Sequence, residues 1–104
     1  MAMDKKTIIE ETEKYYLPVF GRYPMVMELG HGCRVWDNEG NEYVDAFAGI
    51  AVKSLGYNHP VLVKAISEQA AKLMHCSNLY YTEIQVKALR VVAEATGMDR
   101  IFFA

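Results

Sequence analysis

The chain has 104 residues, 52% of them hydrophobic and 23% charged; that is a globular mixture, not a disordered one, and at most one domain's worth of polypeptide. Its formal net charge is −2 and its isoelectric point 5.9, so the basic footprint expected of a protein that binds nucleic acid or an anionic membrane is missing. No apolar run approaches the roughly 20 residues that span a bilayer.

In chain order, Lys5 and Lys6 near the start are followed by no apolar block of signal-peptide length, which reads as a cytoplasmic start. Asp4 is placed to cap a helix running to about Tyr16, with Ile8, Ile9 and Thr12 on its apolar side and Glu10, Glu11 and Glu13 on its solvated side. Pro18 and Pro24, either side of Gly21, then impose an extended connector. From Met25 to Asp45 the pattern changes to short strands. "MVMELGHG" ends in a Gly-His-Gly turn, and "CRVW" and "EYVDAF" flank "DNEG". There Asp37 begins a turn and Gly40 can adopt positive φ, so the stretch predicts a hairpin with Trp36 and Tyr43 as cross-strand or core anchors.

"GIAVKSLGYNHP", residues 49–60, runs small, nearly uncharged residues into Lys53, then gathers Gly, Asn, His and Pro. Asn58 or His59 can cap the helix that follows, with Pro60 in its first turn and Leu62, Ile66, Ala70 and Leu73 as its apolar stripe. "HCSNLYY" interrupts. Thr82 opens another helix, with Gln85 completing a capping box; Val86, Leu89 and Val92 or Ala93 face inward, and Gly97 ends it. "RIFFA" predicts a buried strand beginning at the end of the chain, one that needs neighbours on both sides.

Few residues invite chemistry on their own. Lys53 sits between Val52 and Ser54 with no cationic or desolvating neighbour in sequence, which describes a solvent-facing lysine better than a reactive one. His31 with Cys33 and His75 with Cys76 lack the tight repeating spacing of zinc sites, and two cysteines in unrelated contexts do not make a disulfide framework. Asp37, Glu39, Glu42 and Asp45 surround a hairpin, where carboxylates serve turns and edges. No catalytic residue and no metal site is expected.

Taken together, "GHGCRVWDNEGNEYVDAFAGIAV", "LGYNHPVLVKAISEQAAKLMHCSNLYY" and "DRIFFA" resemble the amino-terminal part of class III pyridoxal-phosphate aminotransferases, most of all those acting on N-acetylornithine. The resemblance implies an α/β protein of PLP-dependent transferase fold type I, of which the amino-terminal helix, small antiparallel sheet, two helices and first strand of the large domain are present. It implies an amino-terminal segment at 1–58 and the start of a large cofactor-binding domain at 59–104. By the same resemblance Phe20, Gly49, Ile50, Ala51 and Val52 line the substrate side of a pyridoxal 5'-phosphate pocket. Ser77, Asn78, Leu79 and Tyr80 form a lip toward the active site of the other subunit in a homodimer. The cofactor lysine and the carboxylate for the pyridinium nitrogen lie further along in that family, and the phosphate cup begins just past Ala104. The implied reaction moves an amino group to 2-oxoglutarate in arginine or lysine biosynthesis, and the 104 residues alone are expected to be inactive. Donors such as 4-aminobutyrate, ornithine or glutamate-semialdehyde, and a stand-alone oligomerisation module, remain as alternatives. Two positions depart from the family pattern: Lys53 or its neighbour, where Asn is usual, and Tyr57, where His is usual.

Overall fold

The structure, a computed structural model, describes residues 3–103. They group into two compact units, Met1–Ile66 and Ser67–Ala104.

In the first unit, α1 spans Lys5–Tyr15. Asp4 sits in extended conformation before it and accepts the Thr7 N–H at 2.8 Å, satisfying a donor that the first helical turn leaves free. The helix stops at Tyr16, whose backbone is extended ahead of Pro18. Strands β1 (Met27–His31), β2 (Arg34–Asp37) and β3 (Glu42–Val44) form an antiparallel sheet in the order β1-β2-β3. Met27 pairs with Asp37 and Leu29 with Trp36, so the register slips by one residue at Glu28. On the other side Arg34 pairs with Val44, Val35 with Tyr43 and Trp36 with Glu42. The expected hairpin is therefore present, with Gly40 at φ 85° in its turn. Lys5 Nζ meets Glu39 Oε2 at 2.9 Å, tying the start of α1 to the hairpin tip.

Burial is sparse. Among the described residues only Val35 (8% exposed) and Asp37 (5%) are buried, and Trp36 and Tyr43 are half-buried. Four residues, Ala48–Ala51, form the single turn α2, which no periodicity announced.

Helix α3 spans Pro60–Lys72, and the division between the units falls within it. The His59 carbonyl accepts the Val63 N–H at 3.0 Å, so His59 holds the cap position; Asn58 is instead left-handed, at φ 55°. The predicted stripe of Leu62, Ile66, Ala70 and Leu73 is exposed along its whole length. Helix α4 spans Glu83–Thr96. Thr82 precedes it in extended conformation, but its side chain makes no capping hydrogen bond, so the expected capping box with Gln85 is not formed. Leu89, Val92 and Ala93 are half-buried while Val86 is exposed. Gly97 ends the helix in left-handed conformation at φ 69°, its N–H bonded to the Ala93 carbonyl.

The terminal strand is a correction. Residues 101–103 adopt no strand, and Phe102 is 86% exposed. A strand exists only by pairing, and no described segment pairs with this one. No helix among the described residues is long and apolar enough to cross a membrane.

Candidate functional site

The turn α2 winds the wrong way. Ala48, Gly49, Ile50 and Ala51 have φ of 49°, 61°, 66° and 58°, four consecutive residues in left-handed backbone. It is a closed coil nonetheless: Ile50 and Ala51 donate to the Phe47 carbonyl at 3.0 and 3.1 Å, and Val52 and Lys53 both donate to the Ala48 carbonyl at 3.0 Å. For L-residues this handedness brings Cβ against the following carbonyl, so Ala48, Ile50 and Ala51 together cost about 3–6 kcal/mol. Backbone held in such a state persists only where its surroundings over-determine it.

Those surroundings begin at Asp45. Its Oδ1 accepts the N–H of Phe47 at 3.0 Å and of Ala48 at 2.8 Å, fixing the entry to the turn. Its Oδ2 accepts the Tyr57 hydroxyl at 2.7 Å, and the same hydroxyl accepts a hydrogen bond from Lys53 Nζ. A phenol hydroxyl both donates and accepts, which lets one oxygen join an anion to a cation. The Lys53 ammonium also lies 3.8 Å from the centre of the Tyr57 ring. The hydrogen bond from Tyr57, then those from Ala48 and Phe47, hold the Asp45 carboxyl below its usual range.

Glycines make the arrangement possible. A Cβ at Gly30 would stand 2.4 Å from the Tyr57 ring, so the ring lies directly on bare backbone. A Cβ at Gly49 would come within 3.0 Å of Lys53 Cε, because that side chain folds back across the turn. Gly32 and Tyr57 exchange both backbone hydrogen bonds, at 2.9 and 2.8 Å, as an isolated antiparallel bridge. The result is an open cavity of about 320 Å³ bordered by Cys33, Asp45, Ala48, Lys53, Ser54 and Tyr57.

Of the predicted substrate-side residues, Gly49, Ile50, Ala51 and Val52 fall together in or beside this turn, with Ile50 and Val52 projecting at 73% and 76% exposure. Phe20 lies in the extended connector and is exposed. In the second unit, Ser77 to Tyr80 form a tight turn: the Ser77 carbonyl accepts the Tyr80 N–H at 3.0 Å and its hydroxyl accepts the Leu79 N–H at 3.3 Å. Leu79 and Tyr80 are exposed there, and Asn78 and Tyr80 border a smaller cavity with His75 and Cys76. The solvent-facing Lys53 expected from sequence is corrected, because its amine is half-buried on Tyr57. Asp45 and Tyr57 are not legible as a pair in the sequence. Their twelve-residue separation gives no local pattern, and only the cluster Gly30, Gly32 and Gly56 hinted that a ring must be accommodated.

Three of the four carboxylates around the hairpin serve turn and edge roles, whereas Asp45 holds the α2 turn and Tyr57 instead. Asp37 organises the β2–β3 turn, Glu39 pairs with Lys5 and Glu42 with Arg34. Among the described residues no three His, Cys, Asp or Glu side chains are grouped to hold a metal, and Cys33 and Cys76 are unpaired thiols.

Comparison with known proteins matches the Aminotransferase class-III family over residues 18–104. An acetylornithine aminotransferase of Methanopyrus kandleri is 48% identical over 103 residues, which is 97% of this chain and 26% of that protein. One of Methanosarcina acetivorans is 50% identical over 97 residues, 93% of this chain and 25% of that protein. The chain thus spans about a quarter of the length of the curated relatives it matches. Among solved structures, acetylornithine aminotransferase from Elizabethkingia anophelis superposes with a TM-score of 0.90 at 29% identity, over 95% of this chain and 26% of that one. Ornithine aminotransferase from Toxoplasma gondii gives 0.88 at 31% identity, over 95% and 23%. Helix, three-stranded sheet and following helices are thus the opening elements of the PLP-dependent aminotransferase fold, and the chain belongs to the class III aminotransferases.

Proposed function

We propose that this chain is the amino-terminal portion of a pyridoxal-phosphate aminotransferase that moves the amino group of N-acetylornithine, or a related ω-amino donor, to 2-oxoglutarate in arginine or lysine biosynthesis. The observation that carries the reading is the 48% identity to an acetylornithine aminotransferase across 97% of the chain. Residues 1–58 form the amino-terminal segment and 59–104 begin the large domain. The protein works as a cytoplasmic homodimer.

The described residues suit a wall beside the cofactor better than an anchor for it. The Lys53 amine is shared with the Tyr57 hydroxyl and lies over its ring, whereas a cofactor lysine must be free to react. Small residues in α2 allow backbone to approach a flat ligand closely, with Ile50 and Val52 giving that surface its apolar side chains. Phe20 adds to the same wall. The exposed turn Ser77, Asn78, Leu79 and Tyr80 presents polar and then aromatic groups, the character of an interface rim, toward the active site of the second subunit. When bound, pyridoxal phosphate supplies the electron sink for the reaction. This chain's part is to shape the space that the donor enters.

The test is direct. Full-length protein loaded with pyridoxal phosphate should form glutamate from 2-oxoglutarate with N-acetylornithine, and more slowly with ornithine or 4-aminobutyrate. Glutamate formation from none of these donors would refute the reading. A faster reaction with ornithine or 4-aminobutyrate would reassign the donor.

A further inference from the structure

We infer that Tyr57, joined to Asp45 and Lys53, is a positioning residue that holds the 48–51 turn left-handed and so sets where Ile50 and Val52 meet the amino donor. The identity of what meets the turn rests on the aminotransferase reading above; the holding of the turn does not.

The turn is intrinsically disfavoured, so something outside it must select its handedness. Asp45 grips the entry through the Phe47 and Ala48 amides, and Lys53 leaves the exit with its side chain folded back over Gly49. Tyr57 closes the ring between them, its hydroxyl donating to Asp45 and accepting from Lys53. Tyr57 is in turn fixed to the sheet. Its backbone exchanges two hydrogen bonds with Gly32, and its ring rests on Gly30. Gly56 passes so close to the Gly32 carbonyl oxygen that a Cβ there would stand 2.6 Å from it. The rigid sheet edge therefore dictates the position of the hydroxyl, and the hydroxyl dictates the position of the turn. What the turn offers outward is two exposed apolar side chains, and a positioning group acts on substrate fit through such side chains without touching substrate itself.

The test is Y57F in the full-length, cofactor-loaded protein, which removes the hydroxyl and keeps the ring on Gly30. Crystal structures should show positive φ at Ala48, Ile50 and Ala51 in the parent and a return to negative φ at one or more of them in Y57F. The KM for the amino donor should rise about tenfold, as for loss of one hydrogen bond to a charged group, with kcat and cofactor absorbance unchanged. Both changes are required. An unaltered turn, an unaltered KM, or a fall in kcat and cofactor content that tracks the melting midpoint each overturns the inference, the last because it marks a purely structural tyrosine. Where Y57F fails to fold, K53M, which keeps the aliphatic stem, carries the same expectations at about threefold in KM. Should the protein turn over no amino donor, the aminotransferase reading falls, and the φ angles of Y57F alone decide whether Tyr57 holds the turn.

Discussion

Asp37 draws four donors onto one carboxylate: the Glu39 and Asn41 amides at 3.0 and 2.8 Å, the Asn41 side chain at 2.9 Å and the Tyr43 hydroxyl at 2.9 Å. The Asn41 side chain is the main cause that brings its pKa down from 3.8 to about 2, and the same carboxylate pushes the Tyr43 phenol up. A carboxyl whose folded pKa is depressed stabilises the fold above its unfolded value, and that contribution disappears as pH falls through the folded one. We therefore expect the urea midpoint of the full-length protein to drop as pH falls below about 4, and D37N to remove part of that drop. An identical pH slope in D37N would show that the turn does not draw stability from this charge. Asp37 was legible in sequence because "DNEG" carries its own turn chemistry. The Asp45–Tyr57 pair was not, since the turn it holds has no sequence signature beyond a single glycine, and three ordinary residues adopt a conformation that only distant contacts enforce.

At the scale of elements, local signals succeeded where the structure obeys local rules. Asp4 caps α1, Pro60 opens α3 and Gly97 closes α4 as their residue types predict. Gly97 has open space around its missing Cβ, so its role is conformational alone. G97A should cost about 1 kcal/mol in thermal or urea unfolding, and G97N appreciably less because asparagine tolerates left-handed backbone. Equal losses in the two variants would place the effect elsewhere. Local reading failed at elements that depend on company. "RIFFA" has strand composition, yet no neighbour within the described residues pairs with it. The apolar stripe of α3 has helical spacing, and nothing described here covers it. Periodicity shows which face of an element seeks burial but not what will bury it.

For the whole molecule, the exposed area is 9476 Å², against about 5,900 Å² for an ordinary folded monomer of this mass. We expect the 104-residue chain expressed alone to bind hydrophobic dyes and to melt without a cooperative transition, while the full-length protein melts cooperatively. A sharp transition for the short chain in calorimetry would make it a self-sufficient module. The scarcity of buried residues also has a bearing on synthesis. If the proposed full-length protein is as long as its Methanopyrus kandleri relative, about 300 residues follow this segment from the ribosome, which at about 5–20 residues per second takes some 15–60 seconds. For that interval, on this proposal, the exposed apolar stripe of α3 and the edges of the three-stranded sheet would stand in water.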